Sequence, residues 1–255
     1  MGLTSAVLKF AAPAPQLTGF TRFLFIGPHP DDIEIGAGAT AACLAAAGRE
    51  VSFLVCTDGR YGLEYAPAGT TPEALAAIRR TECEAAAALL GVRALRFLDL
   101  SDGNQYRRDE LLRGMARVIG ELQPEVVFAP DPCVPSECHA DHLAVGETAR
   151  TLAYFAPYRE IMSLYGAERA GVQALACYMT ARPNRYIKTA AYFETQLAAL
   201  RCHESQFPEG SAALKDLVTY LKLRSVDFGL RSMKGRAEGF RVLGRTQMHC
   251  LPEAK

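Results

Sequence analysis

The chain has 255 residues, of which 49% are hydrophobic and 22% charged, with 28 basic side chains balanced by 28 acidic ones. That length fits one large domain, or at most two, and is enough to bury most of the apolar surface of the unfolded chain. A net charge of zero argues against nucleic acid, an anionic membrane surface or a polyacidic protein as partner.

In chain order, "FLFIG" (23–27) reads as a buried strand and the stretch from about Gly36 to Ala47 as a helix ended by Gly48. "EVSFLVC" (50–56) is a second strand, and Thr71 and Pro72 offer an N-cap and first residue for an Ala-rich helix that ends at Gly91. "ALRFLDL" (94–100) is a third strand, about 109–122 a third helix and "EVVFAP" (125–130) a fourth strand. A helix from about Asp141, a strand near "ALACYMT" (174–180) and helices near 190–203 and 211–222 complete the pattern. Strands alternating with helices predict an α/β, Rossmann-like fold, a mainly parallel sheet covered by helices on both faces. No repeat or low-complexity linker interrupts it, so residues 1–255 are expected to form a single domain.

"AGATAACLAAAG" is too short and too weakly apolar to span a bilayer, and "MGLTSAVLKF" lacks both the basic and the long apolar segment of a secretory signal; Ala6 stands where myristoylation wants Ser or Thr. Eight cysteines (Cys43, Cys56, Cys83, Cys133, Cys138, Cys177, Cys202, Cys250) form no CxxC pair and read as free thiols of a reducing compartment. A cytoplasmic protein is expected. Cys133 and Cys138 beside His139 give a weaker metal signal, because their spacing departs from structural zinc patterns.

In parallel sheets ligands sit beyond the carboxyl ends of the strands. There the sequence delivers "PHPDD" after the first strand, "TDG" after the second, "DLSDG" after the third and "PDPCVPSECHADH" after the fourth. A buried strand has no structural need for titratable groups at its tip, since each must be solvated or paired. Two chemistries compete for this edge. Gly36, Gly38 and Ala41 match G-x-G-x-x-A, and Asp58 lies near the place of a ribose-binding acid, which would make a nucleotide-binding module. The first Gly should occupy the turn directly after the strand, however, and "PHPDDIEI" intervenes, so close helix packing explains these small residues better. The second chemistry is a catalytic metal site. His29 and Asp32 are three apart on a loop stiffened by Pro28 and Pro30, and His142 can supply a third ligand from the fourth strand's loop. Two imidazoles and a carboxylate leave a position for water, as catalytic zinc sites do.

"PHPDD" with a downstream "HADH" resembles the PIG-L (LmbE-like) family of zinc-dependent N-acetylglucosaminyl deacetylases, and "TDG", "AIRRTECEAAAALLGV", "VFAPDP", "ALRCHESQFP" and "GRAEGFRVL" resemble family segments in the same order over most of residues 23–243. Within the family the chain is most similar to the diacetylchitobiose deacetylase type, through "APDP", "ECHADH" and "RPN" followed by "HESQFP". The resemblance implies one Zn2+ per chain, or another divalent ion, bound by His29, Asp32 and His142, with Asp31 as general base. It implies that His139 stabilises the oxyanion, tuned by Asp141, and that Arg79 and Asp102 contact the sugar. It also implies a small amino-sugar substrate and a homo-oligomer, trimer or hexamer. Ala140 replaces the Pro of "HPDH" and Gln196 a usual Lys, which bears on substrate preference; His203 is left out of the site as a helix-end residue. The reading is a metal-dependent amidohydrolase that removes acetyl from a GlcNAc-containing small molecule. Its rivals are a deacetylase of a GlcNAc-conjugated thiol-cofactor precursor or antibiotic aminosugar and, in another class, the nucleotide-binding module.

Overall fold

The structure, a computed structural model, describes residues 7–8 and 10–249. Its strands are β1 (Arg22–Gly27), β2 (Glu50–Thr57), β3 (Ala94–Leu100), β4 (Val126–Pro130), β5 (Ala174–Tyr178), β6 (Arg185–Lys188) and β7 (Ala237–Gly244). They form one sheet in the order β3-β2-β1-β4-β5-β7-β6. The helices are α1 (Asp32–Ala46), α2 (Pro72–Leu89), α3 (Arg108–Leu122), α4 (Ala140–Phe155), α5 (Arg159–Leu164), α6 (Phe193–Leu200) and α7 (Ala212–Ser232).

The first five strands are parallel, as their alternation with helices predicts; the central β1, β4 and β5 are almost wholly buried, whereas β3, at the edge, carries Arg96 and Asp99. Alternation along β1 divides the interior in two. Leu24 and Ile26 face a core with Leu111, Met115 and Ile119 of α3 and Val145 and Leu152 of α4. Phe23 and Phe25 face the other, with Phe53, Phe128, Phe240 and the small residues Ala37 and Ala41 of α1. Phe25 stacks on Phe128 at 4.1 Å, and Phe240 meets Phe128 edge-on at 5.1 Å, a geometry that suits the ring quadrupoles. Thr71 caps α2 as expected, accepting from the Ala74 N–H at 3.2 Å, and Gly91 takes the left-handed conformation just past that helix.

Several elements depart from the sequence reading. α1 begins at Asp32 rather than near Gly36, because helical bonding already starts with Ile35 N–H donating to Asp31 O. That puts Asp32 and Glu34 in its first turn, where the helix dipole favours acids. β7 adds antiparallel to β5, and β6 adds antiparallel to β7 at the outer edge. They were not predicted, since "RYIK" is very short and Gly239 breaks the pattern of β7 in order to make room for the Phe228 ring and Pro183. α5 has only six residues, too few to show a period. α7 runs ten residues past the expected 222; its second half buries Ser225, Phe228 and Gly229 while exposing Leu223, Val226 and Leu230, so its apolar residues do not mark the core-facing side alone.

The strand order places β2 on one side of β1 and β4 on the other. Connectivity reverses direction between β1 and β4, and a crevice opens above their carboxyl ends. Among the described residues no helix is long and apolar enough to cross a membrane. Gly36 lies a full turn inside α1, where an added Cβ would run into the ring of Tyr178, itself fully buried with its hydroxyl donating to Ile26 O at 2.7 Å. Gly36→Ala should therefore overpack this contact and destabilise the fold by about 1–3 kcal/mol, read as a lower denaturation midpoint. An unchanged midpoint would show that close helix–sheet packing is not the reason for the glycine.

Candidate metal centre

The loop from β1 into α1 is tied down along its length. Thr57 at the end of β2 donates to Pro28 O through both its N–H, at 2.8 Å, and its hydroxyl, at 2.9 Å. The Arg79 guanidinium of α2 reaches in to donate to Pro30 O and Gly59 O. The His29 N–H donates to Asp32 Oδ2 at 2.9 Å, closing the tight turn that the two prolines suggest. Asp31 sits at φ 132°, a conformation costly for a residue with a side chain. It is held there with its carboxylate on the Arg79 guanidinium at 2.9 Å.

His29 Nδ1 lies 3.0 Å from Asp32 Oδ2. From the β4 side α4 brings in His142, whose Nε2 lies 3.3 Å from Asp32 Oδ1. One donor atom from each of His29, Asp32 and His142 falls within 4.8 Å of the other two. Three of the chain's five histidines thus meet at the switch point, with His139 edge-on to His29 at 4.7 Å and 4.9 Å from His142 between ring centroids. A second group, His29, Asp102, His139 and Asp141, satisfies the same spacing by using the far side of the His29 ring.

That far side is held by carboxylates. His29 Nε2 is 3.0 Å from Asp102 Oδ1 and 3.3 Å from Asp141 Oδ2. Asp141 is fully buried and also accepts from the Gly103 and Asn104 N–H groups, so it fastens the β3 loop to α4. His142 is held likewise, its Nδ1 3.1 Å from Glu137 Oε2. His139 caps α4, its Nδ1 accepting from Asp141 N–H, which leaves the proton of a neutral ring on Nε2. Its ring is about half exposed, the most open of the three histidines.

The electrostatics show what this enclosure favours. Burial pushes the His29 imidazole down, but hydrogen bonds to Asp102, Asp141 and Asp32 outweigh it and raise it well above its ordinary value. Burial pushes Asp32 up, yet His142 and His29 hold it well below the usual carboxylate range. Asp31 is different: burial, opposed by Arg79 and reinforced by Asp32, lifts it to about 6. Burial and the flanking imidazoles lower His139. Five carboxylates gather around three imidazoles and one arginine, an excess of negative charge that calls for a cation. Imidazole nitrogens and a carboxylate oxygen are donors suited to a divalent transition ion such as zinc, and those of His29, Asp32 and His142 lie within 4.8 Å of one another, close enough to share one.

The structure thus brings together His29, Asp31, Asp32, Asp102, His139, Asp141 and His142. Arg79 arrives differently, buried behind Asp31 at 4% exposure. It makes no pair with Glu82, which accepts instead from Ser205. Glu137 stands in the quoted "ECHADH", yet its role as partner of His142 was not read from sequence. Cys133 and Cys138 point at Arg150 and at Ser136 O and belong to neither candidate group. Gly36 and Gly38 pack inside α1 against Tyr178 and Gln196, and Asp58 pairs with Arg60, which removes the features of the nucleotide reading. Gln196 is buried and bonds Glu34 O and Glu238, and His203 is fully buried with Nε2 3.6 Å from Glu34 Oε1.

The family model described as "GlcNAc-PI de-N-acetylase" (PIG-L) matches residues 24–153. The chain is 32% identical to a diacetylchitobiose deacetylase of Thermococcus kodakarensis, over 91% of this chain and 87% of that one. Its fold matches the N,N'-diacetylchitobiose deacetylase of Pyrococcus horikoshii, solved with an inhibitor, at a TM-score of 0.86 and 31% identity, covering 98% and 93% of the two chains. A 4-carboxy-2-hydroxymuconate hydratase of Pseudomonas putida shares the fold at a TM-score of 0.71 over 88% and 96% of the chains, but at 21% identity this likeness concerns architecture alone. With the family match spanning half of the sequence and including both strand-end clusters, the chain belongs to the PIG-L family.

Proposed function

We propose that this protein is a zinc-dependent hydrolase that removes the N-acetyl group from a GlcNAc-containing small molecule of the diacetylchitobiose or GlcNAc type. The observation that carries the reading is the convergence of His29 Nδ1, Asp32 and His142 Nε2 with the carboxylate of Asp31 beside them. The relatives' names supply the substrate class. The same reading takes the enzyme to be cytoplasmic, its seven described cysteines being free, and homo-oligomeric, as the family resemblance implies.

When bound by His29, Asp32 and His142, the ion would supply Lewis acidity and bring the pKa of water toward ~7. The chain's residues do the rest. Asp31, next to a ligand in sequence but turned toward Arg79, accepts the proton of the attacking water and returns it to the departing amine. Arg79 acts through Asp31, since both terminal nitrogens of its guanidinium are engaged, with that carboxylate and two loop carbonyls. His139 donates from Nε2 to the carbonyl oxygen as charge builds there. It does so as a neutral ring, in keeping with its lowered basicity. Beside Glu137 a cleft of about 340 Å³, lined by Ile35, Met179, Thr180, Tyr220 and Arg224, has room for the remainder of the substrate.

Removal of metal by a chelator should abolish acetate release from diacetylchitobiose, and added zinc or cobalt should restore it; full turnover by metal-free protein would contradict the assignment. Asp31→Asn should retain metal and lose roughly 10²–10⁴-fold in kcat, while Arg79→Ala should lower kcat with metal content and KM little changed, by about the 1.5–3 kcal/mol of a charged hydrogen bond. A raised KM with normal kcat would instead put Arg79 on the sugar. Metal analysis separates the neighbouring histidines: His142→Ala should purify without stoichiometric metal and His139→Ala with it, slow in the chemical step. The reverse pattern would exchange their roles.

A further inference from the structure

The two imidazoles offered to the metal present opposite nitrogens. His29 turns Nδ1 toward Asp32, and His142 turns Nε2 toward the same carboxylate. A neutral imidazole has one lone pair and one N–H, so each ring serves as a ligand only if its proton is kept on the far nitrogen. In both rings that far nitrogen meets a carboxylate. Nε2 of His29 lies 3.0 Å from Asp102 Oδ1, and Nδ1 of His142 lies 3.1 Å from Glu137 Oε2.

These carboxylates are themselves pinned by backbone. Asp102 Oδ1 accepts from Gly103 N–H at 2.6 Å and Oδ2 from Tyr61 N–H at 3.4 Å, which joins the β2 and β3 loops. Glu137 Oε1 accepts from His139 N–H at 2.7 Å, leaving Oε2 for His142. The turn that carries Glu137 is closed by its own N–H donating to Val134 O at 3.1 Å. Neither acceptor can swing away without breaking a backbone hydrogen bond. Two rings with opposite tautomeric demands and two anchored acceptors, each on the nitrogen that must carry the proton, form one consistent arrangement around Asp32.

We propose that Asp102 and Glu137 are positioning residues of the metal centre, which hold His29 in its Nε2–H and His142 in its Nδ1–H form so that both lone pairs converge on the ion beside Asp32. The proposal rests on the reading of His29, Asp32 and His142 as ligands. It gives Asp102 a contact on the far side of a ligand, beside the sugar contact that the family resemblance implies, and it gives Glu137 a role. Partners of this kind commonly change metal affinity 10–100-fold.

The test is the zinc dissociation constant of the full-length apoprotein, measured by competition with a chromophoric chelator, for the parent protein and the variants Glu137→Ala, Glu137→Gln, Asp102→Ala and Asp102→Asn. Glu137→Ala should weaken zinc about 10–100-fold, and Glu137→Gln, which keeps an acceptor oxygen, should recover most of that loss. Asp102→Ala should weaken it less, because Asp141 Oδ2 stays 3.3 Å from the same nitrogen, with Asp102→Asn again close to the parent. The thermal midpoints of the metal-free variants should stay near the parent value, which separates positioning from folding. Parent affinity in both alanine variants would overturn the proposal. So would loss of binding in Asp102→Ala alone, since it would make Asp102 a direct ligand in the second candidate group. Failure of the parent apoprotein to bind zinc would overturn the metallohydrolase reading instead, so the two failures are distinct.

Discussion

The interaction on which the rest of the site depends is the enclosure of His29 by carboxylates. Asp32 faces one ring nitrogen, Asp102 and Asp141 the other, and all four side chains are buried. Buried carboxylates with too few cations are costly, and the cost is met only if the imidazoles carry positive charge or a metal ion occupies the site. The raised His29 and lowered Asp32 record that demand. A site of this kind is in effect half of an ion-binding complex.

The fold makes the enclosure possible because it draws each partner from a different strand end. His29 and Asp32 leave β1, Asp102 leaves β3, and Glu137, Asp141 and His142 follow β4. The reversal of connectivity between β1 and β4 opens the crevice in which they meet. Rigidity comes from backbone rather than from further side chains: Pro28 O, Pro30 O and the N–H groups of Gly103 and Asn104 each bond a side chain from another segment. The strained φ of Asp31 is the local cost of turning its carboxylate away from Asp32 and onto Arg79.

Much of this was legible in the sequence, for identifiable reasons. Strands β1 to β4 are rich in apolar residues, and the polar loops that end them have no folding rationale, so the edge at which titratable groups gather could be read from the sequence; the structure brings His29, Asp32 and His142 together there. The resemblance put Arg79 on the sugar, but its contacts with Asp31 and the loop carbonyls were not legible, because its direction depends on Gly59. That residue is left-handed, and an added side chain would fill the space the guanidinium occupies. Glu137 was visible as part of a motif but mute as to partner, since its contact with His142 depends on the turn closed onto Val134. The antiparallel β6 and β7 escaped because one is four residues long and the other contains a glycine at its point of closest packing.

The most direct measurement is anomalous diffraction at the zinc edge from crystals of the zinc-loaded protein. One ion is expected between His29 Nδ1, a carboxylate oxygen of Asp32 and His142 Nε2, at the ~2.0–2.2 Å typical of zinc, with Asp31 unligated on Arg79. An ion on His29 Nε2 among Asp102, His139 and Asp141, or no ordered ion at the β1–β4 crevice, would contradict it.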